Sequence, residues 1–357
     1  MTALGQPATR PIVLVAQAAA AALGFCTLVL LAAGAPPFDA LALILDGAFG
    51  SWLRLATVIR TWIPLCLCAC GLLFTFRIGL WNIGVEGQVM AGAVMATAVL
   101  RWDAAPLSPG VFCTLSLAAA GVGGALWAWL AGWLKTRSGV NEIFAGLGLN
   151  FVAQSLILWL IFGPWKRPGV ASMSGTEPLP ESLWLFQDPS WRIAPVALVL
   201  TIAAVALTAL VLSRSRMGLC LKAVGNNAVA AVLFGLRPAG LMLLAMLMAG
   251  GLAGMAGGLQ VTAVYHRLIP SISSNYGYLA LLVVLLSKDR ALVAALVAFG
   301  FAALNVGSVQ LPMALKLDSS LAGVIQGALA LAAMGVGAYK KTRMKKWIAG
   351  WNHDNTF

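Results

Sequence analysis

The sequence predicts an all-α integral membrane protein, and three observations carry that prediction. Hydrophobic residues fill 61% of its 357 positions and charged residues only 10%. An ordinary soluble domain carries about 25% charged residues, so a soluble fold of this length would lack the polar surface to cover itself. The apolar residues also come in blocks of about twenty, the length of helix that crosses a bilayer. A transmembrane barrel would instead alternate over segments of about ten residues, and no such pattern runs through the chain.

About ten spans follow in order: residues 11–33, 57–76, 84–100, 110–134, 142–162, 193–213, 239–261, 277–287, 291–311 and 319–339. The first is too long for the apolar core of a signal peptide and lacks a clear cleavage site, so it reads as a helix. The eighth is short. Residues 1–340 then form a single transmembrane domain, and residues 341–357 a basic cytoplasmic tail.

Orientation comes from lysine and arginine, which favour the cytoplasmic side. With the N-terminus inside, that side holds Arg10, Arg77, Lys135, Arg137, Arg214, Arg216, Lys222, Arg237, Lys288, Arg290 and the basic residues from Lys340 to Lys346. The outside holds Arg54, Arg60, Arg101, Lys166, Arg167, Arg192, Arg267 and Lys316, nearly balanced by acidic residues. The net charge of +12 therefore reads as topology and attraction to anionic lipid, not as nucleic-acid binding. Both termini are expected in the cytoplasm. Trp52, Trp102, Trp165, Trp184 and Trp191 fall near predicted outer boundaries, as an aromatic belt would.

Two hydrophilic segments interrupt the spans. Residues 163–191, rich in Pro, Ser and Trp, form a loop outside, long enough for a small periplasmic cap. Residues 213–238 form a cytoplasmic loop. Within it "NNAVAAVLFGL" fits a short helix, capped by Asn226 or Asn227 and ended by Gly235. Such a helix suits docking to a cytoplasmic partner, and equally suits a plain interfacial helix.

The chemistry of catalysis is sparse. No G-x-x-x-x-G-K-[ST] loop occurs, so the chain does not bind ATP by that route. The two histidines, His266 and His353, sit in a loop and in the polar tail. No nucleophile–base–carboxylate set can be assembled, so no enzyme activity, cofactor or metal is expected. Cys66, Cys68 and Cys70 alternate, which on a helix points neighbours about 200° apart. They read as small apolar residues, with no disulfide.

Ionisable groups at membrane depth are costly and point to function. Glu86, in "WNIGVEGQ", and Glu142, in "SGVNEIFAGLGLN", qualify. Each follows Gly and Asn, so each could open a helix, where a first-turn carboxylate satisfies free backbone N–H groups. One reading is a cap at the inner interface. The other is a broken helix beside a polar pathway, since irregular backbone at depth needs close packing or a water-lined cavity. A further polar patch, Gln260, Tyr265, Asn275 and Tyr278, lies toward the outer face and could receive a polar solute.

"GLWNIGVEGQVMAGAV" resembles the "GLFNIGxEGQ" signature of ABC-transporter permeases in the branched-chain amino acid/ribose permease superfamily. The subgroup it is most similar to is that of simple-sugar and nucleoside permeases, which work with basic-membrane-protein-type binding lipoproteins. "GVNEIFAGLGLNFVAQ" resembles that subgroup's "GxNEVIxTxMLNYIA". "GLCLKAVGNNAVAAVLFGL" resembles its "GxxxRAVGxNPxAAxYAGI" loop, and "SSNYGYLALLVVLLSKDRALVAAL" its "GxGFxGIAVALLGxxxPxG". The four run in the family's order over roughly residues 79–300. Trp81 replaces the usual Phe, Ala228–Val229 the usual Pro region, and Leu149 the usual Met.

The resemblance implies about ten helices with broken or re-entrant segments, in the bacterial inner membrane. It implies two permeases around a pathway, two cytoplasmic ABC ATPases and a periplasmic solute-binding protein. Length and the 163–191 loop resemble the larger permease of a heteromeric pair. The resemblance makes Asn82, Gly84, Glu86, Gly87 and Gln88 a broken-helix element, and Asn141, Glu142 and Asn150 a second one. Gly225, Asn226, Asn227, Ala230, Ala231 and Gly235 become the coupling segment. The implied activity is ATP-driven import of a nucleoside or simple sugar. An importer of a vitamin such as riboflavin, or a secondary transporter coupled to ions through Glu86 and Glu142, are the alternatives.

Overall fold

The computed structural model describes residues 36–102, 108–169, 174–189, 192–287 and 290–315, with isolated positions at 24, 27, 28, 31, 34, 323, 324 and 327. Among the described residues every regular element is helical. In order they are α1 (Pro37–Phe49), α2 (Trp52–Arg77), α3 (Val85–Leu100), α4 (Pro109–Ser138), α5 (Glu142–Phe162) and a 3₁₀ turn (Glu181–Leu183). Then come α6 (Pro195–Arg214), α7 (Arg216–Asn226), α8 (Ala228–Leu233), α9 (Pro238–Leu259), a π turn (Gln260–Tyr265), α10 (Tyr276–Ser287), α11 (Ala291–Ser308) and α12 (Gln310–Leu315).

Among the described residues, six stretches are long and apolar enough to cross a membrane: α2, α4, α5, α6, α9 with its π turn, and α11 running on to Leu315. Two of the expected spans are shorter. At 16 and 12 residues, α3 and α10 rise about 24 and 18 Å at 1.5 Å per residue, less than a hydrocarbon core of about 30 Å. Apart from those isolated positions, the expected spans at 11–33 and 319–339, and the whole tail at 341–357, lie outside the described residues. Helix α1 was not anticipated; at 13 residues its apolar run is too short to register as a span.

The helix ends follow their sequences. Proline opens α1, α4, α6 and α9, where its missing N–H has no intrahelical partner to lose. Asn141, Ser215 and Asn227 cap α5, α7 and α8 by accepting the N–H groups of Ile143, Gly218 and Ala230.

The chain divides into two units, Met1–Arg54 with Ala303–Phe357, and Leu55–Ala302. In the first, α1 buries Ala40, Ile44, Gly47 and Ala48, and Gly47 lies against the backbone of Gly307. Asp46 pairs with Arg54 at the exposed end of α1.

In the second, the core is the mutual packing of α3, α4 and α9. These helices meet backbone to backbone. A Cβ on Gly92 would strike the Gly254 backbone, and one on Gly254 would strike the carbonyl of Ala120. Small residues at a helix interface let backbones approach this closely in apolar surroundings. Cys66, Cys68 and Cys70 are fully buried in α2.

Residues 174–187 are fixed to the end of α9. Thr176 and Leu179 donate backbone N–H groups to the carbonyls of Leu268 and His266, at 2.9 and 2.8 Å, and Leu185 donates to Thr262 at 3.0 Å. Gln187 Nε2 donates to the Ala263 carbonyl. Thr262 and Ala263 belong to the π turn, whose widened ladder frees carbonyls for such partners. His266 follows in a left-handed conformation (φ 53°) and stacks on Trp184 at 3.8 Å. Burial, then the nearby Arg60 guanidinium, hold its pKa below the usual histidine range, opposed by a backbone hydrogen bond at Thr262.

Candidate functional site

The stretch between α2 and α3 is a break held by amides. Leu80 N–H closes the end of α2 on the Thr75 carbonyl at 2.8 Å, and Gly79 takes φ 86°, a conformation costly to any residue with a Cβ. Asn82 and Gln88 then bond each other reciprocally. Asn82 Nδ2 donates to Gln88 Oε1 at 3.1 Å, and Gln88 Nε2 to Asn82 Oδ1 at 2.9 Å. Both are buried, so the pair leaves few polar atoms without a partner where water is scarce.

Helix α5 fastens the same break from the side. Asn150 Oδ1 accepts the Gly87 N–H at 2.8 Å, and its Nδ2 donates to the Ile83 carbonyl at 3.0 Å. One side chain thus satisfies a donor and an acceptor freed at the start of α3. Gly84 and Gly146 face each other closely enough that a Cβ on Gly84 would lie 3.0 Å from the Gly146 Cα.

Glu86 reaches away from this knot to α10. Its Oε2 accepts the Gly277 N–H at 2.8 Å, so a carboxylate in the first turn of α3 caps the first turn of α10. Two helix N-termini, each with partial positive charge, therefore share one carboxylate. The turn leading into α10 bends through Ser274 and Asn275 at φ 48° and 59°. Glu86 is only 3% exposed, and its Oε1 has no hydrogen-bond partner among the described residues. Ser273, Asn275 and Tyr278 stand around it.

A cavity of about 320 Å³ opens at this point, lined by Glu86, Met90, Asn150, Phe151, Gln154, Pro270, Ser271, Ser273, Ser274, Asn275 and Tyr278. Among the described residues its polar lining is one carboxylate with amides and hydroxyls, without a cation. Two aromatic side chains, Phe151 and Tyr278, sit exposed at its edge. Such a chamber offers hydrogen-bond acceptors and donors to a neutral polar molecule and a ring face to stack on.

The structure brings some expected residues here and leaves others elsewhere. Glu86 and Asn150 line the cavity, while Asn82, Gly84, Gly87 and Gln88 build the break behind it. Asn275 and Tyr278 of the outer polar patch line it; Gln260 and Tyr265 do not. Asn141 caps α5, and Glu142 pairs with Lys135 at 2.8 Å, so these two serve the α4–α5 corner. Gln154, Ser273 and Ser274 were missed. Gln154 was findable, because it lies four residues after Asn150 and so on the same helix face.

None of residues 225–235 lines this cavity. Gly225 packs on the backbone of Arg77 and Ile78, Asn226 ends α7, and Asn227 caps α8. Ala230 supplies the capped N–H, Ala231 is buried, and Gly235 ends the turn at φ 76°. Val229, Leu233 and Phe234 remain 77%, 84% and 84% exposed.

Residues 54–334 match the model of the family described as branched-chain amino acid transport system / permease component. The chain belongs to that permease family. The permease is 30% identical over 340 residues to the glucose ABC transporter permease protein TsgB13 of Haloferax volcanii, covering 91% of this chain and 87% of that one. It is 24% identical over 303 residues to the guanosine ABC transporter permease protein NupP of Bacillus subtilis, covering 84% and 86%. It is also 25% identical over 256 residues to NupQ, a second guanosine permease of the same organism, covering 67% and 77%.

Proposed function

We propose that this permease forms the translocation pathway of an ATP-driven importer for a nucleoside or a simple sugar, and that the Glu86 cavity is a waypoint for the solute. The observation that carries this reading is the cavity where α3 and α10 both begin, with a buried carboxylate and neutral amides and hydroxyls. Helices that start inside a bundle around a polar chamber are a common way to place a solute site within a membrane. The amides and hydroxyls of the lining suit a neutral polar solute. Relatives named for glucose and guanosine support the same class.

In this reading the chain works as one transmembrane domain of about ten helices in the inner membrane, both termini in the cytoplasm. The loop at 163–191 faces the periplasm, where a binding protein delivers solute. The loop at 213–238 carries the coupling helix, α8. Its exposed Val229, Leu233 and Phe234 fit an apolar groove on an ABC ATPase, and ATP-driven movement there shifts the halves of the pathway. A second permease completes the assembly, as two guanosine permeases in one organism suggest. The chain itself performs no bond chemistry.

The test is purification of the tagged chain from gently solubilised membranes, then uptake of labelled guanosine and glucose into vesicles loaded with ATP and supplied outside with the solute-binding protein. Co-purification of an ATPase and a second permease, with ATP-dependent uptake, is expected. Uptake by the chain alone, independent of ATP and abolished by an uncoupler, would overturn the reading and make Glu86 an ion-coupling group.

A further inference from the structure

A second cavity, of about 470 Å³, lies at the end of the bundle where α2 and α6 finish and α11 begins. Two guanidiniums line it: Arg77, the last residue of α2, and Arg290, just before α11. Ser213, near the end of α6, adds a hydroxyl. The remaining wall is apolar, with Leu212 and Ala209 from α6 and Leu292 and Val293 from α11. Leu292 is 70% exposed, and Leu296, one turn further along the same face of α11, is 72% exposed.

We propose that this cavity binds an anionic phospholipid, its phosphate between Arg77 and Arg290 and an acyl chain along Leu292 and Leu296. The guanidinium is suited to phosphate, which it grips through two parallel N–H donors. Basic pockets between membrane helices select anionic head groups in the same way. A free phosphate would use the same arginines, but it gives no reason for an apolar wall that continues along α11. Both α6 and α11 belong to candidate spans, so that wall lies where acyl chains run. The site is independent of the solute, since none of its residues lines the Glu86 cavity.

The measurement is native mass spectrometry of the delipidated full chain, offered equal amounts of phosphatidylglycerol and phosphatidylcholine. The intact chain should retain the anionic lipid preferentially. Arg290→Gln should lower that preference about fivefold, the effect of one cation near a membrane surface. Arg214→Gln, a neighbouring exposed cation outside the cavity, should leave it unchanged. Equal retention of both lipids, or an equal loss in Arg290→Gln and Arg214→Gln, would overturn the site. Full displacement of the lipid by millimolar inorganic phosphate would overturn the lipid assignment and leave a phosphate site. Arg77→Gln is a second variant to the same end, and Arg290→Gln decides alone if Arg77→Gln does not fold.

Discussion

Helix α3 has two neighbourhoods, and they are built on opposite plans. Toward α9 it is packed glycine on glycine at Gly92 and Gly254, and toward α4 it sets Ala91 and Met95 tightly against Gly123. Toward α5 and α10 it is held by individual polar bonds, from Asn150 and from Glu86, around an open cavity. The first contact has no second arrangement to move to. The second can be opened by exchanging a few hydrogen bonds for others offered by a solute or by water. In the proposed pathway the first would serve as a fixed backing and the second as a face that can rearrange.

The largest effect should come from breaking the backing. Gly254→Leu puts a side chain where α4 and α9 touch and should cost more than about 3 kcal/mol, seen as loss of the monodisperse peak in fluorescence-detected size-exclusion chromatography. Next is the movable face. Glu86→Ala removes the cap of α10, worth about 1.5–3 kcal/mol for a bond to a charged group. Solute uptake should fall at least tenfold, or about 1.4 kcal/mol or more in activation free energy, while the size-exclusion peak survives. Normal uptake at normal protein level would remove Glu86 from the pathway. Asn150→Leu should orphan the Gly87 N–H and the Ile83 carbonyl at about 1–3 kcal/mol, read as a lower Tm.

Smaller effects sharpen the contrast from outside α3. Asn227→Ala should weaken α8 by about 1 kcal/mol, reducing solute-stimulated ATP hydrolysis in the assembled transporter with no change in Tm. The smallest concerns His266. Its folded pKa is held below the unfolded value of about 6.5, so the neutral form is favoured in the fold. Stability is full above that value and declines as pH falls through it. The protection of residues 174–187 against hydrogen exchange, taken relative to the intrinsic rate at each pH, should therefore fall between pH 7 and 5, and His266→Gln should flatten that dependence.

Much of this was legible in the sequence because apolar blocks and caps are local signals. The starts of α5 and α8 sit at the Asn residues that announced them, and "WNIGVEGQ" announced a helix break. The length of α3 and α10 was not legible, since hydropathy does not tell a span from a half-span flanked by apolar loop. Glu86 and Glu142 have the same local pattern and different fates. Glu142 has Lys135 a helix end away, whereas the partner of Glu86 is a backbone N–H 191 residues distant, which no local pattern encodes. The glycine contacts between α3, α4 and α9 escaped for the same reason.

The Asn82–Gln88 pair has a consequence for a protein that sits in an electric field. A transmembrane potential of 100 mV acts on each elementary charge with about 2.3 kcal/mol, but neither amide carries a charge. The knot at the start of α3 is thus deaf to voltage, and its strength stays the same in energised and de-energised cells. Replacing the pair with an acid and a base of similar reach would keep a bond there and hand the field a lever on the break.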